Sequence, residues 1–194
     1  MPARQIDTPG RAPLTREEIS TAAIGLIERE GTGALTMRRL AAEIGCGTMS
    51  MYTHVRNRDD LLEAVIQRLI ARLDVKSAPG ESWQDFVRRS LRSYRALALD
   101  QPRAFEVLAL APDDTEAMSA HLAAYVAVLE SSGLDRDAAE HVLSVSDAFA
   151  SGFLLLWVRS RNAQEAHDDP RERREIERFD RGVETLIAGL EQTI

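Results

Sequence analysis

An all-helical protein is the fold class this sequence predicts, on three observations. Apolar residues recur three and four apart through most of the chain, alternating strand-like runs are hard to find, and only 5% of residues are aromatic. With 194 residues and 44% hydrophobic content, the chain can bury a real core as one domain or as two small ones.

The elements follow in order. Residues 1–13 are polar and interrupted by Pro2, Pro9 and Pro13, which predicts a mobile arm; Arg4 and Arg11 can reach a phosphate, but disorder is the plainer reading. Thr15-Arg16-Glu17-Glu18 is a capping box that opens a helix with the buried stripe Ile19, Ala22, Ala23, Leu26 and Ile27, ended by Gly31. Thr36 caps a second helix, whose apolar face is Leu40, Ala41 and Ile44, and Gly45 can take the left-handed conformation that stops it. Met51 and Val55, four apart, lie on a third helix, and the unit is a helix-turn-helix. Asn57 caps a fourth, with Asp59 and Asp60 in the first turn, where acids complement the helix dipole. Leu62, Val65, Ile66, Leu69 and Leu73 carry its stripe far enough to join two domains.

The run DVKSAPG, residues 74–80, breaks the pattern and marks the boundary between a unit at 14–73 and a helical bundle at 74–194. The bundle's helical segments are 81–99, 103–110, 114–131, 135–161 and 171–192, the last four separated by APDD, SSGLDRD and NAQEAHDDP. No repeat period appears among them. Residues 143–158, LSVSDAFASGFLLLWV, are apolar nearly all round and predict the central buried helix; the segment is too short, and too interrupted by Asp147 and its serines, to favour a membrane span.

The net charge of −7 divides unevenly. Residues 1–73 hold ten arginines and nine acids, net +1, whereas residues 74–194 hold fourteen bases and twenty-two acids, net −8. Local phosphate contacts set DNA affinity, so the acidic second half does not forbid it. One cysteine, Cys46, excludes an internal disulfide and a cysteine-rich zinc site, and its place in the motif points to buried packing. The N-terminus lacks an apolar signal core, so a cytoplasmic protein is expected.

Thr48, Ser50, Tyr52, Thr53 and His54 lie on or beside the outward face of the third helix; all can hydrogen-bond and none is acidic. Thr48 and Ser50 can meet base edges, Thr53 can add a hydroxyl or methyl contact, and Met49 can touch a thymine methyl. Tyr52 and His54 suit phosphate oxygens, with Arg38 and Arg58 supplying charge.

The stretch from Leu14 to Leu73 resembles the DNA-binding domain of the tetracycline-repressor (TetR) family. The resemblance rests on Gly45, on Tyr52-Thr53-His54-Val55 closing the recognition helix, and on Asn57-Arg58-Asp59-Asp60-Leu61-Leu62 after it. Gly47 stands where relatives often have a capping Ser, and Met49 where they often have Pro. The resemblance implies the same division of contacts between bases and phosphates. It also implies a ligand-binding second domain and a four-helix dimer interface built from the last two helices.

In the bundle, Phe86, Ser90, Tyr94, Phe105, Met118, His121, Tyr125, Asp147, Phe149 and Phe153 are the candidate ligand-lining residues, because polar groups share faces with bulky ones. A buried carboxylate needs a partner, and for Asp147 the alternatives are Arg95, His121, a ligand amine or helix ends across a dimer interface. Ile176, Phe179, Val183, Leu186, Ile187 and Leu190 form the stripe expected at the dimer interface, facing small residues Ser144, Ala148, Ser151 and Gly152. Two-fold symmetry also suits a reader of DNA half-sites.

Catalytic constellations are absent: the four His are scattered, with no HExxH, Walker loop or GxSxG, so no enzyme, cofactor or metal is expected. The expected protein is a dimeric transcriptional regulator, by default a repressor, that binds double-stranded DNA and is released by a small apolar or amphipathic effector. The rival readings are a helical bundle that carries or modifies an apolar metabolite, and a ligand-free architectural DNA binder.

Overall fold

Side-chain caps begin most of the helices. In the computed structural model, which describes residues 14–162 and 170–194, the chain forms nine α-helices, a short 3-10 turn and no strand among the described residues. The arm at 1–13 and most of the turn NAQEAHDDP lie outside them. Helix α1 (Arg16–Glu30) starts at Thr15 with both halves of the capping box made, Thr15 Oγ1 accepting from Glu18 N–H at 3.1 Å and Glu18 Oε2 from Thr15 N–H at 2.9 Å. Thr36 caps α2 (Met37–Ile44), and Gly45, at φ 72° and ψ 36°, closes it in the left-handed conformation.

Helix α3 is one turn, Thr48–Tyr52, so Thr53 and His54 fall just beyond it; Gly47 provides its cap without a side-chain bond. Met51 and Val55 are fully buried and anchor it to the core. Asn57 Oδ1 accepts from Asp60 N–H at 2.8 Å and opens α4 (Arg58–Ile70). That helix is shorter than its apolar spacing suggests, ending three residues before Leu73, and its buried line runs through Leu61 while Leu62 is half-buried. Cys46 is half-buried beside the core and free.

The remaining helices are α5 (Trp83–Asp100), α6 (Pro102–Ala109), α7 (Glu116–Ser131), α8 (Arg136–Asn162) and α9 (Pro170–Leu190). Arg89 on α5 pins the segment before it, donating to Asp74 O at 3.2 Å, Lys76 O at 2.7 Å and both Glu81 carboxylate oxygens. The first four helices are tied to the bundle at two points. Arg103 on α6 donates to Glu28 O and Arg29 O at the end of α1, while Glu28 Oε1 accepts from Ala104 N–H at 2.6 Å. Glu63 on α4 reaches the first turn of α7, where its Oε1 accepts from Ala117 N–H at 2.8 Å. These carboxylates satisfy helix N–H groups that otherwise have no intrahelical partner.

Helix α8 touches α5, α6, α7 and α9. With 27 residues it is long and apolar enough to cross a membrane by length and composition; here its buried residues Ala139, Val142, Ser146, Ala150, Leu154, Trp157 and Val158 pack within the bundle. It is not buried all round, however. Ala148 and Gly152 are exposed and Leu156 is 74% exposed, so one face is left uncovered.

The stripe on α9 points inward. Phe179, Val183, Ile187 and Leu190 are buried within the single chain, leaving only Ile176 and Leu186 half-exposed, so most of the residues expected at a dimer interface are core. An amphipathic pattern shows that a face is covered without saying which chain covers it. Phe179 packs against Phe149 and Phe153, each with ring centroids 5.5 Å away, and the Arg95 guanidinium lies over its ring while pairing with Asp180. A Cβ at Gly182 would stand 2.4 Å from Phe149 Cζ. Gly182→Ala is therefore expected to push that ring off α9 and cost about 1–3 kcal/mol, read as a lower midpoint in urea unfolding.

Candidate nucleic-acid interface and ligand cavity

Burying Met51 turns the rest of α3 outward. Met49 is 79% exposed and Tyr52 46%, with Ser50 and Thr53 exposed beside them and Thr48 partly so; no acidic side chain lies on this turn. Thr53 Oγ1 donates to Ser50 O at 2.7 Å, which fixes its hydroxyl against the helix end. The loop behind is held by Arg16, which donates to His54 O at 3.0 Å and to Asp60 O and Oδ1 at 3.1 and 2.7 Å. Asp60 Oδ2 in turn accepts from Arg56 N–H at 2.7 Å. Those bonds, Arg16's first, hold the Asp60 carboxyl down at about 2, against an ordinary 3.8.

The second site lies in the bundle. A cavity of ≈ 90 Å³ is walled by residues from the end of α4's segment and from α5, α6, the α6–α7 loop, α7 and α8. Its polar groups are Ser90, Tyr94, Asp113, His121, Tyr125, Ser146, Asp147 and Ser151, set among Leu91, Leu108, Met118 and Leu143. Two short hydrogen-bond systems cross it: Ser90 Oγ and Tyr125 Oη are 2.9 Å apart, and Tyr94 Oη lies 3.1 Å from Ser151 Oγ, which donates to Asp147 Oδ1 at 3.0 Å.

The family model for bacterial regulatory proteins of the tetR family matches residues 19–65. The HTH-type transcriptional regulator Rv0681 of Mycobacterium tuberculosis, an uncharacterized protein, is 34% identical over 155 residues, covering 75% of this chain and 71% of that one. The chain belongs to the TetR family. The class D tetracycline repressor of Escherichia coli is 39% identical over 90 residues, a match that takes in 45% of this chain and only 41% of the repressor. Among solved structures, ActR of Streptomyces coelicolor in complex with actinorhodin aligns at a TM-score of 0.72 with 28% identity, over 93% of this chain and 96% of its own.

In this TetR-family chain the sequence-derived candidates are distributed unevenly. Arg38, Thr48, Met49, Ser50, Tyr52 and Thr53 sit on the side of the unit that α2 and α3 present to solvent, and His54 is half-buried at its edge. Arg58 is exposed as well, with its Nε 3.4 Å from Leu35 O and its side chain on an open cleft shared with Glu106 and Arg159. Arg56, two residues earlier and 87% exposed, adds a cation in the loop after α3. Helical spacing counted from Asn57 could not reveal this, since Arg56 lies in the loop.

Six of the ten ligand candidates, Ser90, Tyr94, Met118, His121, Tyr125 and Asp147, line the cavity. Four do not. Phe86 backs Tyr125 at 4.7 Å and Phe105 backs Tyr94 at 4.8 Å, both fully buried, while Phe149 and Phe153 belong to the α8–α9 cluster around Phe179. Small and aliphatic walls such as Val75, Ala109, Ala111 and Ala150 carried no sequence signal. Burial pushes Tyr125 up to about 12 and Tyr94 higher, and lowers His121, so the imidazole is neutral at pH 7. Asp147 is not the buried carboxylate its apolar surroundings in the sequence suggest: its side chain and that of Asp113 reach solvent at the cavity's open side, and its pKa is raised, chiefly by the protein packed around it, with the Ser151 bond opposing and the charge of Asp113 adding to the rise. Among the described residues no group of three or more His, Cys, Asp or Glu could hold a metal ion.

Asp60→Asn is expected to cost about 1–2 kcal/mol after solvent screening, read as a lower midpoint in urea unfolding. The depressed carboxyl stabilises the fold above the ordinary pKa of 3.8, and that contribution is lost as pH falls through about 2. Acid unfolding of the wild type and of Asp60→Asn should therefore converge below this window.

Proposed function

We propose that this chain is a sequence-specific DNA-binding transcriptional regulator, a homodimeric repressor released from its operator by a small molecule. Residues 14–73 form the DNA-binding unit and residues 74–194 the ligand and dimerisation unit. One observation carries the reading: the unit that presents a solvent-facing turn of hydroxyls and Met49 without carboxylates is bonded, through Glu63 of α4 and Glu28 of α1, to helices that wall the cavity.

The cavity's size gives the mechanism. Sites for drug-sized ligands run to roughly 300–1,000 Å³, so an occupant of that kind must displace a wall of a cavity of ≈ 90 Å³. The α6–α7 loop contributes Ala111 and Asp113 to that wall and leads directly into the α7 turn held by Glu63 of α4. Moving it shifts α4 and with it the setting of α3, a population shift biased by the ligand. ActR's complex with actinorhodin supports a ligand role for this bundle.

A partner copy fits the uncovered face of α8 and α9. There an open groove of ≈ 680 Å³ runs along Val145, Phe149, Gly182, Leu186 and Gly189. A two-fold pair places two recognition turns on half-sites about 34 Å apart. The regulators among its relatives support a regulator over an enzyme, and a DNA-binding protein of this kind works in the cytoplasm.

Gel-shift titrations on a set of variant DNA sites test the assignment. Ser50→Ala or Thr48→Ala is expected to change the ranking of sequences by about 1–3 kcal/mol at one position, whereas Arg56→Ala weakens binding to all of them and lowers the salt slope by about one. Equal losses on every sequence for both kinds of variant would contradict direct readout by α3.

A further inference from the structure

We propose that the cavity is built for a ligand bearing a positive charge, an organic ammonium seated between Asp147 on α8 and Asp113 on the α6–α7 loop. This deepens the effector reading above and rests on it. The charged groups in the wall are these two carboxylates, no Lys or Arg lines it, and burial keeps His121 neutral. Asp147 receives one hydrogen bond, from Ser151, and Arg95, one of its candidate partners, is committed to Asp180. Asp113 is held only through its backbone carbonyl, which accepts from Ser119 Oγ at 2.7 Å, leaving its carboxylate without an ion pair.

An independent observation also calls for an occupant. Ser146 is 1% exposed and belongs to the cavity wall, and its Oγ has no hydrogen-bond partner among the described residues. A buried hydroxyl left unpaired is costly, and a ligand N–H or acceptor placed here would satisfy it. A metal ion does not fit a wall lacking a three-ligand cluster. An organic cation does: two carboxylates neutralise it, and the aromatic and aliphatic wall takes its carbon skeleton.

Charge recognition and signalling then become one event. An ammonium held by both carboxylates resets the α6–α7 loop against α8 as its carbon skeleton displaces the wall, and the loop continues into Ala117, whose N–H rests on Glu63 of α4.

The test is calorimetric titration of the full chain at neutral pH with phenylbutylammonium and with the uncharged phenylbutanol. The ammonium is expected to bind roughly tenfold or more tightly than the alcohol, and Asp147→Asn or the loop variant Asp113→Asn to remove most of that preference. Neither variant removes an ion pair, so thermal midpoints should match the wild type and confirm that the proteins are folded. Equal affinity for the two compounds, binding of neither, or a preference that survives both substitutions would overturn the charge assignment. Operator binding without any compound reports separately on the regulator reading, so the two can fail independently.

Discussion

Phe179→Ala is expected to destabilise each protomer by about 3–5 kcal/mol, the range for removing a buried aromatic ring from a close-packed core. The ring has no exposure, contacts Phe149 and Phe153 at 5.5 Å, and carries the Arg95 guanidinium on its face. For a chain of this length the loss is a fall of roughly 6–20 °C in the thermal midpoint. Because the ring is internal, the shift should be similar at low and high protein concentration. A loss confined to dilute solution would mean that Phe179 faces a second copy instead.

Glu63→Ala is expected to leave effector-free DNA affinity within a few fold and to abolish most of the effector response. Glu63 is the side chain of α4 that holds the first turn of α7, directly after the loop that walls the cavity. Losing such a cap costs about 1 kcal/mol of stability, small beside its role as a link. Couplings of this kind amount to about 1–3 kcal/mol, so a 5- to 150-fold drop in affinity on ligand addition should shrink to near unity. An unchanged response in Glu63→Ala would move the link to the Glu28–Ala104 contact at the other junction.

Features set by neighbours three or four residues apart were legible from the chain. The Thr15–Glu18 box, the Thr36 and Asn57 caps, and the left-handed Gly45 each depend on a handful of adjacent residues, and each forms as its local chemistry dictates. The bundle helices follow for the same reason, within a residue or two at most ends. What a face packs against is a property of the assembled chain. The α9 stripe has the spacing of an interface yet is spent on α5 and α8, and Phe149 and Phe153 share a helix with Asp147 but turn away from the cavity toward Phe179. The cavity wall is drawn from segments as distant as Leu73 and Ser151, with alanines and a serine that show no periodic signature. Arg58 and Arg56 differ by two positions and take different partners, Leu35 O and Asp60, because a helix begins between them.

Selection of DNA by the purified full-length chain from a random pool, with bound species sized on the selected site, tests the central claim most directly. The account predicts a palindromic consensus with half-sites about one helical turn apart, occupied by two chains, with affinity that falls as salt rises. Enrichment of no sequence at low salt, or one chain on an asymmetric site, would contradict it.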